Sequence, residues 1–166
     1  MNYSSLVERI AGESSEVWDV HNEARNRFDN GEDVIMLSIG EESYETTPAS
    51  IQDAAVTALK KDRDMAKQVK TRLDSNRMIL RKGLEPMEGA KLFAQGGGMF
   101  AILDTRPLGL SSREFCWKLL DQQGVSVLPC DGFGLSGRGL VRISLCESEA
   151  TTREAVRRIY IFLKSL

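Results

Sequence analysis

Residues 124–145 read Gly-Val-Ser-Val-Leu-Pro-Cys-Asp-Gly-Phe-Gly-Leu-Ser-Gly-Arg-Gly-Leu-Val-Arg-Ile-Ser-Leu. The run from Val125 to Leu128 enters a loop carrying Gly132, Gly134, Gly137 and Gly139, and a second strand pattern leaves it. There Val141, Ile143 and Leu145 alternate with Leu140, Arg142 and Ser144. A period of two sets Arg142 on the face opposite the most apolar one. Two readings of this arginine stay open. It is an ordinary cation on a half-exposed strand, or a planar clamp that grips a carboxylate through two parallel hydrogen bonds. The spacing Gly132-x-Gly134-x-x-Gly137 matches the dinucleotide-binding fingerprint, but that motif opens directly into a helix and a strand pattern follows here.

Outward from this stretch the pattern alternates helices and strands. Ser14 or Ser15 can cap a helix with Val17, Val20, His21, Ala24 and Phe28 on one face, stopped by Gly31, and residues 34–39 read as a short strand ended by Gly40. Thr47 and Pro48 form a cap and first-turn pair for a helix through Ile51, Ala54, Ala55, Ala58 and Leu59. Across the charge run 60–64, read as a solvated face, one long or gently broken helix continues through Ala66, Val69, Leu73, Asn76 and Leu80, and Gly83 is expected to close it. Asp74, Ser75 and Arg77 read as an exposed face. Residues 91–94 and 99–104 read as strands joined across Gly96, Gly97 and Gly98, which lack the Gly-Lys-Ser/Thr of a phosphate loop. Ser112 is expected to cap a helix through Phe115, Cys116, Leu119 and Leu120 that stops at Gly124. Ser148, or Thr151 with Glu154, starts a last helix through Ala155, Val156, Ile159, Phe162 and Leu163.

With 166 residues, 42% hydrophobic, and a net charge of -2, the chain can form one domain with a sizeable core and offers no strong basic surface for nucleic acid. No apolar run approaches a bilayer span, and Glu8 and Arg9 interrupt the amino terminus, which lacks a signal peptide's apolar centre, so the chain reads as soluble and cytoplasmic with no membrane partner. Cys116, Cys130 and Cys146 fit reduced thiols, not a disulfide framework. One histidine, His21, and no Cys-x-x-Cys pair argue against a metal site, and His21 in a helical pattern reads as a partly buried helix residue and not as a triad member.

The loop Pro129-Cys130-Asp131-Gly132-Phe133-Gly134 followed by Arg142 resembles the small domain of class I/II aminotransferases, fold type I enzymes that use pyridoxal phosphate. In that family a Pro-Gly-x-x-Phe-Gly loop precedes a strand whose arginine binds the substrate α-carboxylate; Cys130 stands where glycine is usual. Gly97-Gly98-Met99-Phe100 resembles the family strand whose aromatic faces substrate, although Phe100 also reads as simple core, and Gly40 matches the glycine of a pocket-lining segment. The strings Ile10-Ala11-Gly12, Ile51-Gln52-Asp53-Ala54-Ala55, Gly124-Val125-Ser126-Val127-Leu128 and Arg157-Arg158-Ile159 resemble the branch that includes bacterial arginine:pyruvate transaminases.

The resemblance implies an α+β fold of two layers, a four- or five-stranded mixed or antiparallel sheet with helices mainly on one face. It covers residues 1–40 and 44–166, and the two pieces join near 41–48, where the family's large coenzyme domain is missing. The Asn-Pro-x-Gly turn and the Ser-x-Ser-Lys segment with its Schiff-base lysine are absent from the sequence. The expectation is therefore a single small domain over 1–166, with Arg142, Gly40 and Phe100 as a vestigial substrate-binding set, no catalytic or metal residues and no bound cofactor. Such a chain is a folding unit or scaffold that does not transaminate alone and binds at most a carboxylate or amino acid weakly, as a monomer or with weak self-association. Two alternatives stay open: a regulatory module that binds a small molecule at the Gly40, Phe100 and Arg142 surface, and a half-enzyme completed in trans by a separate coenzyme domain.

Overall fold

The computed structural model describes residues 16–40, 51–87, 89–94 and 96–166. The expected caps at Ser14 or Ser15 and at Thr47, and the expected junction at 41–48, lie outside them. A short 3-10 turn, Glu16–Trp18, leads into α1 (Asp19–Asp29), which buries Val20 and Ala24 as the periodicity predicts. The following strand is short: β1 is only Ile35–Met36. Helix α2 (Ile51–Leu84) then runs unbroken for 34 residues, about 51 Å at 1.5 Å per residue.

Two sequence expectations for α2 are corrected. Gly83 does not close it; a Cβ at this position would stand 2.1 Å from Val156 Cγ1, so the glycine is where α2 lies against the last helix. The helix ends at Leu84 because Pro86 follows, with no N–H to give and a ring that disfavours helical geometry in the residue before it. Nor do Asp74, Ser75 and Arg77 share one exposed face, whereas Asn76 lies inward with Leu80 as its spacing predicts. Asn76 and Arg77 are buried, at 0% and 5% exposure, because α2 is covered there by loops far away in sequence.

Strand β2 (Lys91–Phe93) pairs antiparallel with β3 (Phe100–Asp104) across the glycine loop. Helix α3 (Ser112–Gln123) is capped by Ser111, one residue before the expected Ser112. Ser111 and Glu114 close a reciprocal capping box, and Gly124, at φ +62, ends the helix in a conformation that suits a residue without a Cβ. The stretch 125–129 divides between two sheets. Strand β4 (Val125–Ser126) pairs parallel with β1, while β5 (Leu128–Pro129) pairs antiparallel with β6 (Leu140–Ser144). Between β5 and β6 lie two 3-10 turns, Asp131–Phe133 and Leu135–Gly137, and no long helix opens from the glycines, which removes the dinucleotide reading. Helix α4 (Glu149–Ser165), capped by Ser148, completes the described chain.

The larger sheet has the order β2-β3-β6-β5. Its alternation sorts side chains as the sequence predicts: Leu92, Ala101, Leu103, Val141 and Ile143 enter the core with Leu80 of α2, Phe115 and Leu119 of α3, and Ile159 and Phe162 of α4. The Phe115 and Phe162 rings meet edge to face at 5.2 Å. Each such buried aliphatic or aromatic side chain contributes roughly 1.5–3 kcal/mol. Leu37 laces the two sheets together, its N–H donating to Ser126 O at 2.8 Å and its carbonyl accepting from Ser144 N at 2.9 Å. The result is the expected α+β arrangement, a four-stranded antiparallel sheet beside a parallel pair.

Candidate functional site

Arg142 lies mid-strand on β6, in register with Ile102 of β3 and Leu128 of β5. Its neighbours Val141 and Ile143 are locked in the core at 0% and 1% exposure, so the pleat commits Arg142 to the opposite face. There the guanidinium carbon sits 4.1 Å from the centre of the Phe100 ring and 5.5 Å from that of Phe133. One amino group, Nη2, donates to the Ser38 carbonyl at 3.0 Å. The buried Nε has no hydrogen-bond partner, and among the described residues no carboxylate pairs with this arginine. Burial pulls its pKa below the usual arginine value and the nearby Cys130 thiol pulls it back up. A guanidinium stays cationic at neutral pH regardless.

Gly40 is set against the same ring. A Cβ on it would lie 2.9 Å from Phe100 Cζ and 3.1 Å from Met99 Cε, so the aromatic occupies the space a side chain would fill. The three residues expected to form a set, Arg142, Phe100 and Gly40, are thus brought together by β6, β3 and the end of the segment after β1. Two further members were not foreseen as site residues. Phe133 was visible in the loop motif, and its ring flanks the guanidinium; Ser38 contributes a backbone carbonyl, which no side-chain pattern can signal. The Ser38 hydroxyl is itself fixed by His21 Nδ1 at 2.7 Å and Ser126 Oγ at 3.1 Å, which accounts for His21 as a half-buried helix residue.

The loop that carries Phe133 also borders a cleft of about 350 Å³, lined by Pro129, Asp131, Gly132, Arg138, Ser111 and Arg113 among others. None of Arg142, Phe100 and Gly40 lines it. All three cysteines are buried and outside any disulfide, and burial pushes Cys130 up to about 11. Among the described residues, no cluster of three or more His, Cys, Asp or Glu side chains could hold a metal ion, and no helix is long and apolar enough to cross a membrane. Every described lysine side chain is exposed: Lys70 pairs with Asp74, Lys91 lies over Phe93 and Lys164 over Tyr160.

The family model for aminotransferase class I and II matches residues 36–159, which contain the whole Arg142 cluster. The chain belongs to the class I and II aminotransferase family. It is 38% identical over 113 residues to arginine–pyruvate transaminase AruH of Pseudomonas aeruginosa, a match covering 68% of this chain and 29% of that protein. This relative lies in the branch that the sequence strings resemble. Among solved structures, the aromatic aminotransferase from Pyrococcus horikoshii is 32% identical with a TM-score of 0.64, covering 69% of this chain and 31% of its own. An aminotransferase from Mycobacterium tuberculosis gives 31% identity and a TM-score of 0.62, covering 69% and 30%. The chain therefore spans about 30% of the length of these relatives.

Proposed function

We propose that this chain is an aminotransferase small-domain module that keeps a carboxylate-gripping arginine, Arg142, without the coenzyme machinery, and that it acts as a folding unit or scaffold and does not transaminate alone. The observation that carries this reading is the state of the Arg142 guanidinium. It is stacked on Phe100 and tied to Ser38, yet has its Nε unpaired and no carboxylate partner among the described residues. A planar cation held in this way is preorganised for a carboxylate, since the side-chain entropy of ordering it is already spent.

The described residues do not fit pyridoxal phosphate. That coenzyme requires an enclosed lysine for covalent attachment and partners for its phosphate and ring nitrogen. The lysines described here are exposed. A charge-assisted pair contributes roughly 1.5–3 kcal/mol, while a millimolar complex already needs about 4 kcal/mol. Arg142 alone therefore binds a carboxylate with a millimolar or weaker constant. Titration of pyruvate, followed by the NMR signals of the Arg142 side chain, should give such a weak constant that is abolished in Arg142→Met. Incubation with pyridoxal phosphate and borohydride should fix no coenzyme at a unique lysine. Saturation at micromolar pyruvate, or one stoichiometrically labelled lysine, would overturn the reading.

A second reading, a half-enzyme completed in trans, is favoured by two exposed apolar side chains of the β5–β6 loop: Phe133, 57% exposed beside the arginine, and Leu135, 77% exposed. Co-purification of a separate coenzyme-binding domain that restores transamination would support it over the first.

A further inference from the structure

We propose that Arg77 of α2 is a positioning residue for the Arg142 site, fixing the glycine loop ahead of β3 so that the Phe100 ring is held under the guanidinium; this rests on Arg142 being the site. Arg77 is 5% exposed, an expensive position for a cation unless its hydrogen bonds are used. Its Nη2 donates to the Gly98 carbonyl at 2.7 Å and its Nη1 to the Asp74 carboxylate, which Lys70 also grips. One helical turn on, Arg81 donates to the Ala94 carbonyl at 2.6 Å. Two arginines spaced four apart thus hold both ends of the loop between β2 and β3.

The loop cannot hold itself. Gly96, Gly97 and Gly98 are exposed and have nothing within 4 Å of the positions their Cβ atoms would take, and Gly98 sits at φ +77. Three successive glycines have the largest conformational freedom to lose, so an external anchor decides where Met99 and Phe100 enter β3. Past the anchor, Met99 O accepts from Leu145 N at 2.9 Å, which connects the loop to the end of β6. The same helix holds that end too. Asn76, fully buried, donates to the carbonyls of Leu145 and Glu147 at 2.9 and 2.6 Å. The helix α2 therefore sets the strand that carries the aromatic and the strand that carries the arginine relative to one another.

The readout is the Arg142 Hε–Nε NMR signal of the free protein, with no carboxylate present. A proton above an aromatic face is shielded, so the Phe100 ring displaces this signal upfield, and Phe100→Leu measures that part of the displacement. Arg77→Met should lose at least half of it, and Arg77→Lys should recover part. A signal in folded Arg77→Met that matches the parent would overturn the proposal. If Arg77→Met fails to fold, Asp74→Ala, which removes the acceptor at a half-exposed position, decides the question. It frees Arg77 Nη1 and should shift the Arg142 signal toward that of Phe100→Leu, and no change would again overturn the proposal. Because pyruvate is absent, failure of the carboxylate reading appears only in the separate titration.

Discussion

Replacing Gly83 by Ala in an exposed helix would stabilise it by about 1 kcal/mol through helix propensity. In this fold the sign reverses. The new Cβ would stand 2.1 Å from Val156 Cγ1, where carbon atoms normally rest about 3.5–4.0 Å apart. Val156 is β-branched, held in one rotamer within α4, and 8% exposed, so it cannot swing aside. The helices must separate instead, and overpacking of this size costs about 3 kcal/mol, the upper end of its usual range. The net expectation for Gly83→Ala is about 2 kcal/mol of lost stability, a fall of about 1 M in the urea midpoint for a slope near 2 kcal/mol per M. Val156→Ala removes the obstructing methyls, so the double variant should be more stable than the sum of the singles by about 2–3 kcal/mol. Gly83→Ala at or above parental stability, or two effects that add within about 0.5 kcal/mol, would refute the close approach of α2 and α4.

Two further outcomes follow from groups held in place by the fold. Cys116, Cys130 and Cys146 are buried, and burial raises the first two thiols, so iodoacetamide at pH 7.5 should leave the native protein unmodified while the urea-unfolded chain takes up three equivalents; fast labelling of Cys130 in the folded state would contradict this. Hydrogen bonds from Arg157 and then Arg158 lower Glu154 from 4.5 to about 2. Because the folded value lies below the unfolded one, this contribution is complete above about pH 4.5 and lost as pH falls toward 2. Melting temperatures of Glu154→Gln and parent should therefore converge over that window, and at 1 M salt the gap should narrow at neutral pH as well; curves that stay parallel through acid would contradict the assignment.

The sequence signals that succeeded were local. Alternation around Arg142 sorted one face of β6 from the other, the glycine loop separated β2 from β3, and serines preceded α3 and α4, although the α3 cap is Ser111 rather than its equally plausible neighbour. What escaped was set by distant chain. Gly83 looks like a helix stop until Val156 lies beside it, and Arg77 looks solvated until the loop at Gly98 closes over it. Ser38 acts through its backbone, which every residue possesses. The division of residues 125–129 between two sheets was hidden for the same reason, since an apolar run does not name its partner strand.

The lacing of Leu37 between Ser126 and Ser144 bears on how the molecule reaches its final state. These two hydrogen bonds close loops of about ninety and a hundred and ten residues, among the costliest contacts to form early, so the segment after β1 is expected to dock last. The next residue is Ser38, whose carbonyl holds the arginine, followed shortly by Gly40 under the aromatic ring. The anchor point thus comes into being only when the last seam is sewn, and a polypeptide that stalls one step short would retain most of its helices while its guanidinium stayed untethered.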